Sequence, residues 1–188
     1  NNLTVSGTLT LAGVVNLFDE TGASNVTITV TQRGILKILG NTNNSGFNFS
    51  KIGAREIVVF GQFSPGLVTP SGGWSRLGIL KGGSMVVQFN NHLQIDSIEI
   101  SGNLQVLSIV NISGLTKQRT NTISLASGSI FTLNSQKDPG VSIIRASTLE
   151  VNGTFAGGRL TPVEGWDQVY VGPQGNLNFE LTEELRTD

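Results

Sequence analysis

The sequence predicts an all-β fold, a right-handed parallel β-helix (β-solenoid) of about eight coils, and three observations carry that expectation. Apolar and polar residues alternate strictly in phrases such as LTVSGTLTL, VTITV, SIEISGNLQV, TLEVNGTF and NLNF, the period of a half-buried strand. Glycine recurs between two such runs at Gly7, Gly34, Gly61, Gly83, Gly102, Gly128, Gly153 and Gly175, at intervals of 27, 27, 22, 19, 26, 25 and 22, averaging 24 residues. Aligned on these glycines, the residues form columns.

Each repeat then reads as one coil: strand, glycine bend, strand, variable loop. The strand before the bend carries Leu3, Val30, Ile57, Ile79, Ile98, Ser124, Leu149 and Val171 four residues ahead of the glycine, seven of them apolar. The bend takes glycine because it tolerates φ > 0 and turns without a Cβ clash. The strand after the bend carries Leu9, Leu36, Phe63, Met85, Leu104, Ile130, Phe155 and Leu177, all apolar and therefore inward. Between bend and inward column stand Thr8, Ile35, Gln62, Ser84, Asn103, Ser129, Thr154 and Asn176, an uncharged outward column. Coils stacked at ~4.8 Å turn each column into a ladder of like residues, and eight would make a rod of about 38 Å. A β-sandwich is the alternative for alternating strands with glycine turns, but it predicts hairpin turns of about two to five residues and no columns. Helical phrasing is confined to LTEELRTD, and residues 180–188 read as a tail or cap.

Composition agrees. Charged residues make up 13%, about half the usual share, and like charges stacked along a ladder would repel. A net charge of −1 offers no basic patch for nucleic acid, and no apolar run suits membrane insertion. The chain has no Cys and one His, which excludes disulfides, thiol catalysis and ordinary zinc or copper sites. No cofactor is expected. The chain reads as one domain over residues 1–188, a piece of a longer extracellular protein whose flanking domains are its first partners.

One phrase is duplicated. Residues 61–74, GQFSPGLVTPSGGW, return 92 positions later as GTFAGGRLTPVEGW, residues 153–166, with Phe63/Phe155, Thr69/Thr161, Pro70/Pro162 and Trp74/Trp166 among the identities. Trp74 and Trp166 have two readings. Either they are exposed platforms for sugar or partner contact, about 19 Å apart along the axis, or each indole caps the core at a corner after a Pro-fixed turn.

Phrases such as SGTLTLAG, and T-P-x-x-G-W followed by an alternating strand and G-x-φ, resemble the β-solenoid repeats of cell-surface adhesins and autotransporter-like passenger domains. The resemblance implies the fold and a surface location; no catalytic residue carries over.

Six sequons, at Asn2, Asn25, Asn43, Asn48, Asn111 and Asn152, are N-glycosylation candidates and point to a secreted or cell-surface glycoprotein. Asn2, Asn25 and Asn152 fall at outward offsets. Catalytic chemistry is thin. Asp96 and Glu99 differ by three in a strand and face opposite ways; Asp19 and Glu20 sit in a turn; Glu164 and Asp167 flank one tryptophan; His92 lies in a turn-like NNHLQ. The glycine-aspartate pattern of calcium-binding β-rolls is absent, and the Thr8/Thr10 and Thr27/Thr29/Thr31 runs that could start an ice-binding ladder break at Ile35 and Lys37. The expected function is non-enzymatic: a stiff spacer, adhesive or receptor ectodomain, with a protein or glycan ligand met by the long loops 40–56 and 114–124. Lys117 and Arg119 make the second loop the most basic stretch. A carbohydrate-binding or polysaccharide-active β-helix module is the alternative.

Overall fold

The computed structural model describes residues 2–12, 15–17, 26–39, 50–114, 120–133, 141–161 and 166–182. Every strand pairing among them is parallel, which is the β-solenoid and not the sandwich.

Three ladders run along the axis. The first stacks Asn2–Val5, Thr27–Val30, Glu56–Val59, Trp74–Ile79, the second half of Asn91–Ile100, Thr120–Leu125, Ala146–Val151 and Gln168–Val171. The second stacks Thr8–Ala12, Ile35–Leu39, Gln62–Pro70, Ser84–Phe89, Asn103–Val106, Ile130–Leu133, Thr154–Thr161 and Asn176–Leu181. One strand of each ladder makes a rung. Eight rungs enclose seven complete turns, one fewer than the coils counted from the glycines, and successive rungs lie 20 to 29 residues apart.

The third ladder was not expected. Short strands such as Asn16–Leu17, Ser50–Ile52, Val110–Ser113 and Ser142–Ile144 stack with the ends of the longer ones, inside stretches that read as variable loop. They begin 9, 16, 8 and 14 residues after Gly7, Gly34, Gly102 and Gly128, so they keep no constant offset from the coil glycine.

The interior is largely apolar and stacked. Along the first ladder Ile28, Ile57, Leu77, Ile98, Ile123 and Leu149 are in register and fully buried. Along the second, Leu36, Phe63, Met85, Leu104, Phe131 and Phe155 do the same, with Leu9 and Leu177 half-buried at the two ends. Phe131 and Phe155 stack with ring centroids 4.8 Å apart. The sixth rung corrects the alignment by one residue: Phe131, not Ile130, points inward, and Ile130 is 44% exposed. The same slip removes Ser124 from the apolar column, which is filled by Ile123 and Leu125.

The corner between the first two ladders alternates in length from rung to rung. Two residues turn it at Ser6 and Gly7, Phe60 and Gly61, Ser101 and Gly102, and Asn152 and Gly153. Four residues turn it at 31–34, 80–83, 126–129 and 172–175. Each long corner is closed by an i to i+3 hydrogen bond, for example from Gly83 N to the Leu80 carbonyl at 2.7 Å. Gly82 (φ +83°) and Gly128 (φ +76°) supply the left-handed residue of two such turns. The last corner residue, Gly34, Gly61, Gly83, Gly102, Gly153 or Gly175, is glycine for another reason: a Cβ there would meet a backbone carbonyl of the preceding rung at 2.0–2.5 Å. These six do not adopt positive φ, so close approach, not left-handed backbone, selects the residue. Ser129 replaces glycine in the sixth rung, its hydroxyl donating to the Ala126 carbonyl at 2.7 Å, and Gly128 belongs to the turn instead.

Candidate functional site

The duplicated phrase is corner architecture. Trp74 is fully buried and Trp166 is 1% exposed. Trp74 Nε1 donates to the Ile52 carbonyl at 2.9 Å and Trp166 Nε1 to the Ile144 carbonyl at 3.1 Å, each 22 residues back at the end of a third-ladder strand in the preceding rung. Each indole also meets a phenylalanine edge-on: Trp74 with Phe89 at 5.7 Å, Trp166 with Phe179 at 5.8 Å. Burial of an indole is stable when its N–H finds an acceptor, and both do. The reading of Trp74 and Trp166 as sugar or partner platforms is corrected, since neither presents a ring face. Thr69 and Pro70 are also not the turn. They lie in a strand against Lys51 and Ile52, and Gly72 (φ +71°) and Gly73 (φ +75°) make the bend.

Outside, the first ladder carries a charged cluster around Arg76. Arg76 lies in register with Glu56 below and Ser97 above, and its guanidinium reaches both Glu56 and Glu99, with Nη2 to Glu99 Oε2 at 2.7 Å. Gly78 lies in register with Glu99, and a Cβ there would stand in ordinary contact with the Arg76 guanidinium at 3.8 Å. Hydrogen bonds from Arg76 hold the Glu99 carboxyl below its ordinary range, against a smaller opposing effect of partial burial, and the two carboxylates raise Arg76 further. Every member is satisfied by another, so the cluster is a clasp across three rungs. Reading residues 56, 76 and 99 as neighbours needs the register, because 20 and 23 residues separate the partners.

The second ladder presents an outward face of two columns. One runs Thr8, Ile35, Gln62, Ser84, Asn103, Ile130, Thr154 and Asn176; the other Thr10, Lys37, Ser64, Val86, Gln105, Thr132, Ala156 and Asn178. Lys37 is the single charge among the sixteen. A bulge interrupts this face. Met85 pairs with Phe63 but Val87 with Gly66 (φ +66°), so Ser64 and Pro65 oppose Val86 alone. Beside it lies a depression of about 250 Å³ between Lys37, Gly66, Val86, Gln88 and Leu107.

Three of the six sequons fall on described residues. Asn2 is exposed on the first ladder. Asn152 is half-buried at a short corner, where Nδ2 donates to Glu150 Oε1 at 2.9 Å. Asn111 is half-buried on the third ladder; its Oδ1 is enclosed with no partner among the described residues, and its sequon serine, Ser113, is buried. Asn25, Asn43 and Asn48 lie outside the described residues, as do Lys117, Arg119, Asp19, Glu20 and Glu164. His92 is exposed beside Asn111, Asp96 is half-buried, and Glu99 is taken up by Arg76. No group of three or more His, Cys, Asp or Glu that could hold a metal occurs among the described residues. Comparison with protein-family models, curated proteins and solved structures finds no match to this chain.

Proposed function

We propose that the chain is a non-enzymatic structural or adhesive β-solenoid segment of a cell-surface or secreted glycoprotein, and that the outward face of the second ladder is its contact surface. The observation that carries this reading is that face: eight rungs of hydroxyl, amide and aliphatic side chains, in register except at the bulge between Ser64 and Val86, with one lysine among sixteen positions. A surface of this kind loses little solvation free energy when it meets another uncharged polar surface, and the stacked core behind it keeps it rigid. Glycans at exposed sequons such as Asn2, on the neighbouring ladder, would leave that face open.

The same hydroxyls and amides favour one second reading, a carbohydrate-binding module that lays a polysaccharide along the ladder. Beads coated with the chain, presented to cells and to a glycan array, test both. Retention on cells is expected, and loss of retention on Asn103→Glu with Thr132→Glu at unchanged thermal stability. Release of reducing ends from any polysaccharide would overturn the non-enzymatic reading. Retention unaffected by the two glutamates would remove the second ladder from the contact. Glycan-array signal lost with those glutamates would favour the carbohydrate module.

A further inference from the structure

We propose that the edge between the first and second ladders, over the second to fourth rungs, binds an acidic polysaccharide whose sulfate or carboxylate groups are held by Arg33, Lys37 and Lys81. This rests on the second ladder as the contact face and names the ligand it takes.

The net charge of −1 conceals a segregation. Residues 21–95 carry six Lys and Arg and one carboxylate, Glu56, which is a net +5 against −6 for the rest of the chain. Arg76 is held by Glu56 and Glu99. The other five cations, Arg33, Lys37, Lys51, Arg55 and Lys81, are exposed, and none has an ion pair or side-chain hydrogen bond among the described residues.

Three of the five stand on one side of the solenoid. Arg33 lies in the long corner of the second rung and Lys81 in that of the fourth, while Lys37 is on the outward face of the second rung, in register with Ser64. Lys51 is on the third ladder and Arg55 in the bend that follows it. The strands of the second ladder and their corners with the first hold a single carboxylate, Glu180 in the last strand, and it faces Arg159 at 3.9 Å. The unpaired charge on this side, among the described residues, is therefore three cations within three rungs.

Arg33 and Lys81 are two rungs apart, about 10 Å along the axis, which suits a partner with anionic groups repeated along its length. The short corner between them presents Phe60, 37% exposed, and the strands beside it Gln62 and Ser84. Beside Lys37 the depression at the bulge adds Ser64 and Gln88. An exposed aromatic takes the apolar face of a sugar ring, amides and hydroxyls bond its hydroxyl groups, and cations hold its acidic substituents. A single-stranded nucleic acid is the other repeating polyanion, but it stacks successive bases on several aromatic side chains. Phe60 is the only exposed aromatic ring beside these cations among the described residues.

Surface plasmon resonance of the 188-residue chain over immobilised heparin, which carries sulfate and carboxylate, and polygalacturonate, which carries carboxylate alone, tests this, with dextran as the neutral control. Binding is expected to at least one acidic polymer and not to dextran; heparin alone assigns the sulfates, both polymers the carboxylates. Log K should fall with log salt at a slope of about −2, as three contacts give at the counterion release of a single-stranded polyanion. Arg33→Gln with Lys81→Gln is expected to weaken binding by about tenfold or more, two exposed contacts at up to about fivefold each. Lys51→Gln with Arg55→Gln removes the same charge elsewhere and should weaken it by less than about twofold. All four side chains are exposed, and an unchanged thermal midpoint by circular dichroism reports that each variant is folded. Absence of binding to both acidic polymers would overturn the proposal. Equal losses in the two charge-matched variants would do the same, since attraction would then follow net charge and not this edge. Tighter binding of a single-stranded oligonucleotide than of either polysaccharide would overturn the ligand class. A chain that binds neither polymer yet loses cell retention on Asn103→Glu with Thr132→Glu overturns this ligand and leaves the contact face standing.

Discussion

Gly61→Ala against Gly7→Ala separates the two reasons a corner can hold glycine. At Gly61 the new Cβ would lie 2.2 Å from the Gly34 carbonyl oxygen and 2.4 Å from that of Thr31, both backbone atoms that cannot rotate away. Restoring ordinary contact, which starts at 3.4 Å, requires the rungs to part by about 1 Å at that corner. The bonds stretched are Gln62 N to Gly34 O, at 3.0 Å, and Gly61 N to Val30 O, at 3.3 Å. Two weakened hydrogen bonds at about 0.5–1.5 kcal/mol each and overpacking strain of about 1–3 kcal/mol give a loss of about 4 kcal/mol. For a domain of this length that lowers the midpoint of thermal unfolding, followed by far-ultraviolet circular dichroism, by about 8–16 °C. At Gly7 the backbone is ordinary and the space empty, so alanine raises stability by about 0.4–1 kcal/mol through the unfolded chain. Equal losses at both positions, or none at Gly61, would refute the account of the corner.

Two further outcomes follow from the core and the clasp. Phe131→Ala is expected to cost about 3–5 kcal/mol and Ile130→Thr less than about 0.5 kcal/mol in urea unfolding; the reverse order would return the sixth rung to the register read from its glycine. Glu99 titrates below its ordinary range when folded, so its contribution is present above the unfolded value and is lost as pH falls through the folded one. With Arg76 and Glu99 side chains 38% and 44% exposed, solvent screening keeps that contribution below about 1 kcal/mol. Stability measured from neutral pH down through the carboxylate range should fall less in Arg76→Met than in the parent; identical pH dependence would show that the clasp is not coupled to folding.

The fold was legible because stacking writes itself into columns. Leu9, Leu36, Phe63, Met85, Leu104, Phe155 and Leu177 stand where the glycines place them. Corner length was not legible, and the reason is parity. Counting back from glycine lands on Leu3, Ile57 and Ile98 at short corners but on Val30, Ile79 and Val171 at long ones, two residues further along the strand. A shift of two keeps the side chain on the same face, so an apolar column survives a wrong register. A shift of one does not, and Ser124 at the sixth rung was the trace of it. The third ladder was hidden by its unequal distance from the coil glycine. The Arg76 clasp was hidden because its members adjoin only across rungs, and the indoles because parity counted through a corner says nothing about facing.

The alternating corner has a consequence for how such a chain can change length. The long corners project as exposed turns at Gln32 and Arg33, Lys81 and Gly82, Ser127 and Gly128, and Pro173 and Gln174. They sit two rungs apart, and Ser127 Oγ donates to Gln174 Oε1 at 2.6 Å across the short corner of the rung between them. Neighbouring long corners would bring these turns to a single rung spacing of about 4.8 Å, with no short corner to separate them. The repeating unit of this edge is therefore the pair of rungs: adding or removing two leaves the edge of the solenoid unchanged, while adding or removing one places like corners against each other.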